Sequence, residues 1–326
     1  MSNYIIWVFF NDNIVHIMIK LFTMVKDEVD IVEDWILYHG NLFGFDNLYI
    51  VDNMSTDGTY EVILNYIKKG VKLSRHPNYL EKGNIMKQMI TNNKSIIAFP
   101  LDIDEFIVYY DKHNNRISTD SILPYLHNLI RSNNKNGMIM NMHTSGLYKC
   151  DYIHSKITNA SKQGYKRAAI EATRGRYDHQ RDKIMAKSFF DTRYWKGEID
   201  HGNHCNYTSH FSMSNICLVH YHSRNYEQHK KKVINNASGL GYDVNNLEAL
   251  KSLGNQCGGA HHVGHMIRIL EGKYSINTNE RKETTDIDLS PISNYLKKNN
   301  ISTSLTPNVE SKMNQDKRLE YIKNRK

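Results

Sequence analysis

Residues 48–58 read Leu-Tyr-Ile-Val-Asp-Asn-Met-Ser-Thr-Asp-Gly. The apolar opening is a short strand. It runs directly into Asp52, Asn53, Ser55, Thr56 and Asp57, residue types that favour turns and helix N-caps. Val62, Ile63 and Ile67 then form an apolar face at helical spacing. Strand, polar loop and helix repeat on either side of this stretch. Toward the N-terminus, residues 17–25 form an apolar run that Lys26-Asp27-Glu28 breaks; Val32, Trp35, Ile36, His39 and Phe43 follow at helical spacing, and Gly44 closes the segment. Toward the C-terminus, Gly70 stops the second helix, residues 71–74 read as a third strand, 80–92 as a third helix and 95–101 as a fourth strand. Strands alternating with single helices need crossover connections. The expected fold class is therefore α/β, a doubly wound, largely parallel sheet with helices on both faces.

In such a sheet ligands bind beyond the carboxyl ends of the strands. Three polar clusters fall at such ends: residues 23–28 after the first strand, 52–57 after the second and 102–105 after the fourth. The last belongs to Phe99-Pro100-Leu101-Asp102-Ile103-Asp104-Glu105-Phe106. On an extended backbone, Asp102 and Asp104 point to one side while Leu101 and Ile103 enter the core. Two carboxylates so spaced can hold a hard divalent cation, and such a cation can bridge two phosphates.

Beyond residue 115 the pattern loosens. Residues 121–131 read as a helix, 137–142 as a strand, 145–205 as polar and irregular, 216–222 as a strand ending in His220 and His222, and 226–237 as a basic helix. The stretch after about residue 275, rich in Asn, Lys, Ser and Thr, reads as a peripheral helix and a flexible tail.

Composition narrows the function classes. Lys and Arg total 42 against 34 acids, a formal +8 that is spread thinly, with Lys230-Lys231-Lys232 the longest basic run. Nucleic-acid binding would cluster that charge, so no nucleic-acid partner is expected, whereas anionic small substrates suit the balance. Cys150, Cys205, Cys217 and Cys257 form no Cys-x-x-Cys pair, which fits a reducing compartment. The apolar residues 4–10 are too few for a membrane span and lack a signal peptide's basic flank. No transmembrane segment is expected, and the location reads as soluble and cytoplasmic.

The chain resembles nucleotide-diphospho-sugar transferases of the GT-A fold, in particular the family 2-like and family 92 (DUF23-type) glycosyltransferases. The matching residues are Lys26-Asp27-Glu28, Glu33-Asp34-Trp35, Tyr38-His39, Gly44-Phe45-Asp46, Asp52-Asn53, Ser55 to Thr59 and Asp102 to Phe106, with weaker echoes at Ser145-Gly146, Lys187, His201 or His204, and His220-Tyr221. The resemblance covers roughly residues 17–235. It implies a glycosyltransferase domain over 17–275, with a nucleotide-binding half at 17–115 and an acceptor-side half at 116–275. Residues 1–16 would be an N-terminal extension and 276–326 a peripheral helix and tail.

The activity implied is transfer of a sugar from a nucleotide-diphosphate sugar, a UDP-sugar by preference, to a hydroxyl of a glycan, protein or lipid acceptor, with inversion. Thr23 and Asp52 would contact the nucleoside, Asp52 accepting from the uracil imide, and Lys26, Glu28, Asn53, Lys82 and Asp102 would complete the donor site. Asp102, Asp104 and His220, with His222 as the alternative, would hold Mn²⁺ or Mg²⁺. Glu198 or Asp200 would act as the base that deprotonates the acceptor, with Trp195 stacking on a sugar face. Asp57 reads instead as a structural N-cap.

Three other readings compete. A nucleotidyltransferase shares the sheet and the acidic pair but needs a glycine- and arginine-bearing phosphate loop, absent from residues 23–28. A nucleic-acid module would rely on the basic helix near Lys230. A zinc hydrolase is prompted by His261 and His265 at i, i+4, yet no His-Glu-x-x-His accompanies them.

Overall fold

The structure is a computed structural model that describes residues 19–93, 95–111, 113–131, 139–146, 167–171, 176–178, 183–185, 188–192, 195, 197, 199, 202–203, 211–221, 226–254, 257–274 and 284–299. Strand β1 (Ile19–Val25) leads to helix α1 (Val32–Phe43), β2 (Leu48–Asp52) to α2 (Thr59–Leu64), β3 (Lys72–Arg75) to α3 (Lys82–Asn92), and β4 (Ile97–Leu101) completes the run. Gly58 adopts a left-handed φ of 97° at the entry to α2, a conformation that residues with a Cβ resist. β1 pairs in parallel with β2 on one side and β4 on the other, and β2 pairs in parallel with β3. The spatial order is β3-β2-β1-β4.

Side-chain alternation shows the double winding directly. Ile19, Leu21 and Val25 of β1, with Ile97, Phe99 and Leu101 of β4, enter the core shared with Trp35, Ile36 and Phe43 of α1. Phe22 and Ala98 point to the opposite face, where they meet Met86 and Ile90 of α3. One helix therefore covers each face, as expected.

The chain continues through β5 (Glu105–Asp111), β6 (Arg116–Ser118), α4 (Ile122–Arg131), β7 (Ile139–Gly146), β8 (Arg167–Glu171), β9 (Arg176–Asp178), β10 (Lys183–Met185), β11 (Ser188–Asp191), β12 (Phe211–His220), α5 (Tyr226–Gly239), α6 (Leu247–Ser252), α7 (Ala260–Leu270), β13 (Thr284–Asp288) and α8 (Ser290–Lys298). Past β4 the sheet runs on as β11-β7-β12-β5-β6. Here it is mixed: β7 and β12 are parallel, while β4–β11, β11–β7, β12–β5 and β5–β6 are antiparallel. The parallel arrangement thus belongs to the four N-terminal strands. Pro100 is tolerated in β4 because β11 pairs only with Ile97 and Ala98, short of the position where an N–H is missing.

Two departures from the sequence reading matter for the site. β5 follows the acidic motif at once, and residues 145–205, read as irregular, contain β8 to β11. In the 276–326 segment, α8 puts Leu289, Ile292 and Leu296 into the main core, and Tyr295 meets the Tyr38 ring edge-on at 5.5 Å. Among the described residues no helix is long and apolar enough to cross a membrane.

The start of β5 explains the Trp-x-x-Tyr-His spacing of α1. β12 pairs with β5 over Glu105 to Tyr109, but β6 joins on the other side only from Tyr109 onward. The outward backbone groups before that point are met by side chains of α1. Trp35 Nε1–H donates to the Glu105 carbonyl at 3.0 Å, Tyr38 Oη–H to the Ile107 carbonyl at 2.7 Å, and the Ile107 N–H to His39 Nε2 at 3.3 Å. Burial pushes the His39 pKa down to about 3 against the opposing bond to the Trp35 carbonyl. The ring is thus neutral, with Nδ1–H donating to that carbonyl at 3.1 Å and Nε2 accepting.

Candidate active site

In the order β3-β2-β1-β4 the chain reverses its winding between β1 and β4, and the loops at their carboxyl ends border the crevice in which sheets of this kind bind ligands. Three loops meet there. The loop after β1 and the loop after β2 are tied together. Lys26 Nζ donates to the Asn53 carbonyl at 2.9 Å, the Asp27 N–H to Ser55 Oγ at 2.9 Å, the Thr56 N–H to Asp27 Oδ1 at 2.7 Å, and the Glu28 N–H to Thr59 Oγ1 at 2.8 Å. Asp57 accepts from the Thr59 N–H at 3.0 Å, but the N-cap of α2 is Gly58, so Asp57 braces the loop one residue before the cap instead of capping the helix as expected. Lys26 and Asn53, expected at the donor, thus also hold loop to loop, and Asn53 Nδ2 donates to the His76 carbonyl at 2.7 Å.

Asp52 ends β2 with no exposed surface. Its carboxylate accepts from Arg75 Nε at 2.9 Å and from the Ser55 N–H at 3.2 Å, and the Arg75 guanidinium lies 4.1 Å from the Tyr60 ring centre. Thr23 is fully buried near the end of β1, and its hydroxyl finds no hydrogen-bond partner among the described residues.

The acidic motif corrects one expectation. Asp102-Ile103-Asp104 is not extended: the Glu105 N–H donates to the Asp102 carbonyl at 3.1 Å, closing a β-turn between β4 and β5. Glu105 Oε2 accepts from the Asp102 N–H at 2.8 Å and braces the turn. Ile103 is buried as expected, but the two carboxylates separate. Asp102, 30% exposed, pairs with Lys82 Nζ at 2.8 Å and accepts from Asn203 Nδ2 at 3.0 Å. Asp104, 1% exposed, pairs with Lys232 Nζ and lies 3.3 Å from His220 Nε2. Register puts His220 there, because the last residue of β12 stands opposite Glu105. Burial disfavours the His220 imidazolium, but the Asp104 carboxylate, helped by Glu105 and opposed by Lys232, lifts its pKa above the ordinary value.

Two carboxylates and an imidazole suit a divalent cation in kind. Among the described residues, however, no three such side chains stand gathered around one point, and Lys82 and Lys232 pair with the two carboxylates.

Helix α5, read as merely basic, reaches the crevice through one stripe. Gln228, Lys231, Lys232 and Asn235 follow i, i+3, i+4, i+7 spacing and so share a face. Gln228 Nε2 donates to Glu28 Oε2 at 3.0 Å, Lys231 pairs with Asp57 at 2.9 Å, Lys232 with Asp104, and Asn235 Nδ2 donates to Asp27 Oδ2 at 3.1 Å. Lys231 and Lys232 thus spend their charge on carboxylates of the same molecule, which weakens the motive for a nucleic-acid footprint.

Arg75, Asn203, Gln228 and Asn235 were not singled out by sequence, and Lys231 and Lys232 were visible only as part of a basic run on a helix. Asp27, Met54 and Asn203, three residues with left-handed φ of 53°, 54° and 61°, all lie in the crevice loops, where backbone strain tends to collect. Glu198, Asp200, His201, His204, His222 and Lys187 lie outside the described residues. Trp195 stacks on Phe190 at 4.7 Å, so one face of its ring is covered.

No protein-family model matches the chain, and no curated protein matches it. Among solved structures the chain is similar to residues 1–349 of TarS from S. aureus, with a TM-score of 0.37 and 10% identity over 78% of this chain and 71% of that one. The same protein in complex with UDP gives 0.36 and 11% over 78% and 70%. Glucosyl-3-phosphoglycerate synthase from Mycobacterium tuberculosis, in complex with phosphoglyceric acid, gives 0.28 and 17% over 40% and 44%. Similarity this distant leaves any functional reading to rest on the geometry of the crevice.

Proposed function

We propose that the protein is a metal-dependent glycosyltransferase of the GT-A type, family 2-like or family 92-like, that moves a sugar from a UDP-sugar to an acceptor hydroxyl with inversion. The observation that carries this reading is the convergence of Asp52, Lys82, Asp102, Asp104 and His220 on the carboxyl-end crevice between β1 and β4. Asp52, an acceptor-only group anchored by Arg75 and the Ser55 N–H, is suited to read an imide N–H of the base. Thr23 brings a buried hydroxyl with unused bonding capacity to the same strand end. Asp102, Asp104 and His220 would hold Mn²⁺ or Mg²⁺, which supplies charge neutralisation for the departing diphosphate.

In the transfer itself, the acceptor oxygen bonds to the anomeric carbon as the bond from that carbon to the diphosphate oxygen breaks. Glu198 or Asp200 is the proposed carboxylate that takes the hydroxyl proton. Support comes from their neighbours: Ile199 packs beside Trp195 against the α3 side of the sheet, and Asn203, three residues past Asp200, touches Asp102. Asn203 thus ties the Asp102 turn to a position close in sequence to the proposed base.

Thermal unfolding tests the reading. Mn²⁺ with UDP at about a hundredfold excess over Kd should raise Tm by roughly 5 °C, and a UDP-sugar from a donor panel should be hydrolysed slowly. Asp104→Asn should abolish the metal-dependent part of both. No shift with any nucleoside diphosphate, or turnover unchanged in Asp104→Asn, overturns it.

A further inference from the structure

Lys231 and Lys232 are neighbours on α5, yet they stand on unlike partners. Lys231 pairs with Asp57, whose carboxylate also accepts from the backbone of Val29 at 3.3 Å and Thr59 at 3.0 Å. Asp57 is therefore a loop-building group, and Lys231 anchors the helix to it. Lys232 sits on Asp104 Oδ2, the same oxygen that faces His220 Nε2 at 3.3 Å. One carboxylate oxygen thus has an ammonium partner and an imidazole neighbour. In the same turn Asp102 Oδ1 has two donors, Lys82 Nζ and Asn203 Nδ2. The side chains of Lys82 and Lys232 are 6% and 17% exposed, so both ammoniums are held where water screens them little.

Charge counting then decides what these lysines do. Two ammoniums balance the two carboxylates. A divalent cation held by these carboxylates would compete with the two lysines for them and loosen their hold on the ammoniums. The diphosphate that arrives with it brings negative charge to the same crevice. A lysine is a point charge on a flexible four-carbon stem, so moving from one oxyanion to another a few ångströms away takes little backbone change.

We infer that Lys232 is a diphosphate-binding residue: it rests on Asp104 in the free chain and passes to the diphosphate of the nucleotide sugar when the donor binds. The inference rests on the function proposed above. It makes α5 a part of the donor site rather than a helix that only packs beside it, and it pairs Lys232 with Lys82 on opposite sides of the turn.

Calorimetry on the full chain with Mn²⁺ and a ladder of uridine, UMP and UDP separates the possibilities. Lys232→Met should weaken UDP roughly ten- to a hundredfold, as for the loss of one charge-assisted contact, and leave uridine unchanged. Lys231→Met, which removes an anchor of the same helix, should leave UDP within about threefold. A second measurement needs no variant: with lysines reductively ¹³C-methylated, the Lys232 signal should shift on adding UDP and not on adding uridine. UDP binding equally well to Lys232→Met, uridine weakened in step with UDP, or a Lys232 signal that ignores UDP overturns this inference alone. UDP that fails to bind the unaltered protein overturns the functional reading and this inference with it.

Discussion

Asn203 carries two opposing energies in one residue. Its left-handed φ of 61° costs an L-residue about 1 kcal/mol or more, though Asn tolerates it better than most. Its Nδ2 donates to Asp102 at 3.0 Å, while its buried Oδ1 has no partner among the described residues. The bond to a carboxylate is what keeps the strained backbone in place. Asn203→Ala keeps the strain and loses the bond, and should lower the free energy of unfolding by about 2–3 kcal/mol. Asn203→Gly loses the bond but also the strain, and should cost about 1 kcal/mol less. Urea unfolding of the two variants checks the order; equal losses would remove backbone strain from the account.

At the scale of an element, α1 does two jobs with two faces. Its aliphatic residues pack on β1 and β4, and its Trp35, Tyr38 and His39 serve as side-chain partners for the outer backbone of β5. Tyr38→Phe keeps the ring contacts with Phe106 at 5.3 Å but leaves the buried Ile107 carbonyl without its donor. The expected loss is about 1–3 kcal/mol, read from the shift in urea midpoint at constant slope. A variant as stable as the parent would show that the edge is satisfied some other way. The motif positions on α1 were legible in the sequence because their spacing is helical. Their purpose was not, since β5 finds its partner β12 more than 100 residues later.

Across the whole molecule, apolar side chains divide between the sheet core and a separate cluster of Val233, Leu250, Val263 and Met266 within α5 to α7. Three described histidines are held neutral: His39 at about 3 in the main body, and His262 at about 3 and His265 at about 4 on α7. Burial is the main cause in each. His262 also feels His261, Lys232, His265 and His229, and His265 feels Arg268 and His261. Their folded values lie below the unfolded value near 6.5, so between about pH 6.5 and pH 4 the unfolded chain binds more protons and stability falls as pH falls. Two of the three sit in α7. Amide exchange, corrected for its intrinsic pH dependence, should therefore speed up more in α5 to α7 than in β1 to β4 on going from pH 7 to pH 5. The double variant His262→Gln, His265→Gln should flatten that difference; equal acceleration everywhere would refute it.

The same scale explains what was readable. Strand-helix alternation is a local signal, and it placed Thr23, Asp52, Asp102 and Asp104 at strand ends without coordinates. Arg75, Asn203 and Lys232 complete the crevice only through pairings across the sheet, and the separation of the two Asp carboxylates follows from a turn whose brace, Glu105, lies inside the motif itself.

Asp104 and its partner Lys232 are 128 residues apart in the chain, and His220 comes only slightly earlier. At a synthesis rate of about 5–20 residues per second, roughly 6–25 s pass on the ribosome between them. During that interval a nascent chain that has already made β1 to β4 has no counter-charge for Asp104, and burying it would be costly. The acidic turn should therefore stay open to solvent until β12 and α5 emerge, so that the crevice is among the last parts of the molecule to close in the order of its own translation.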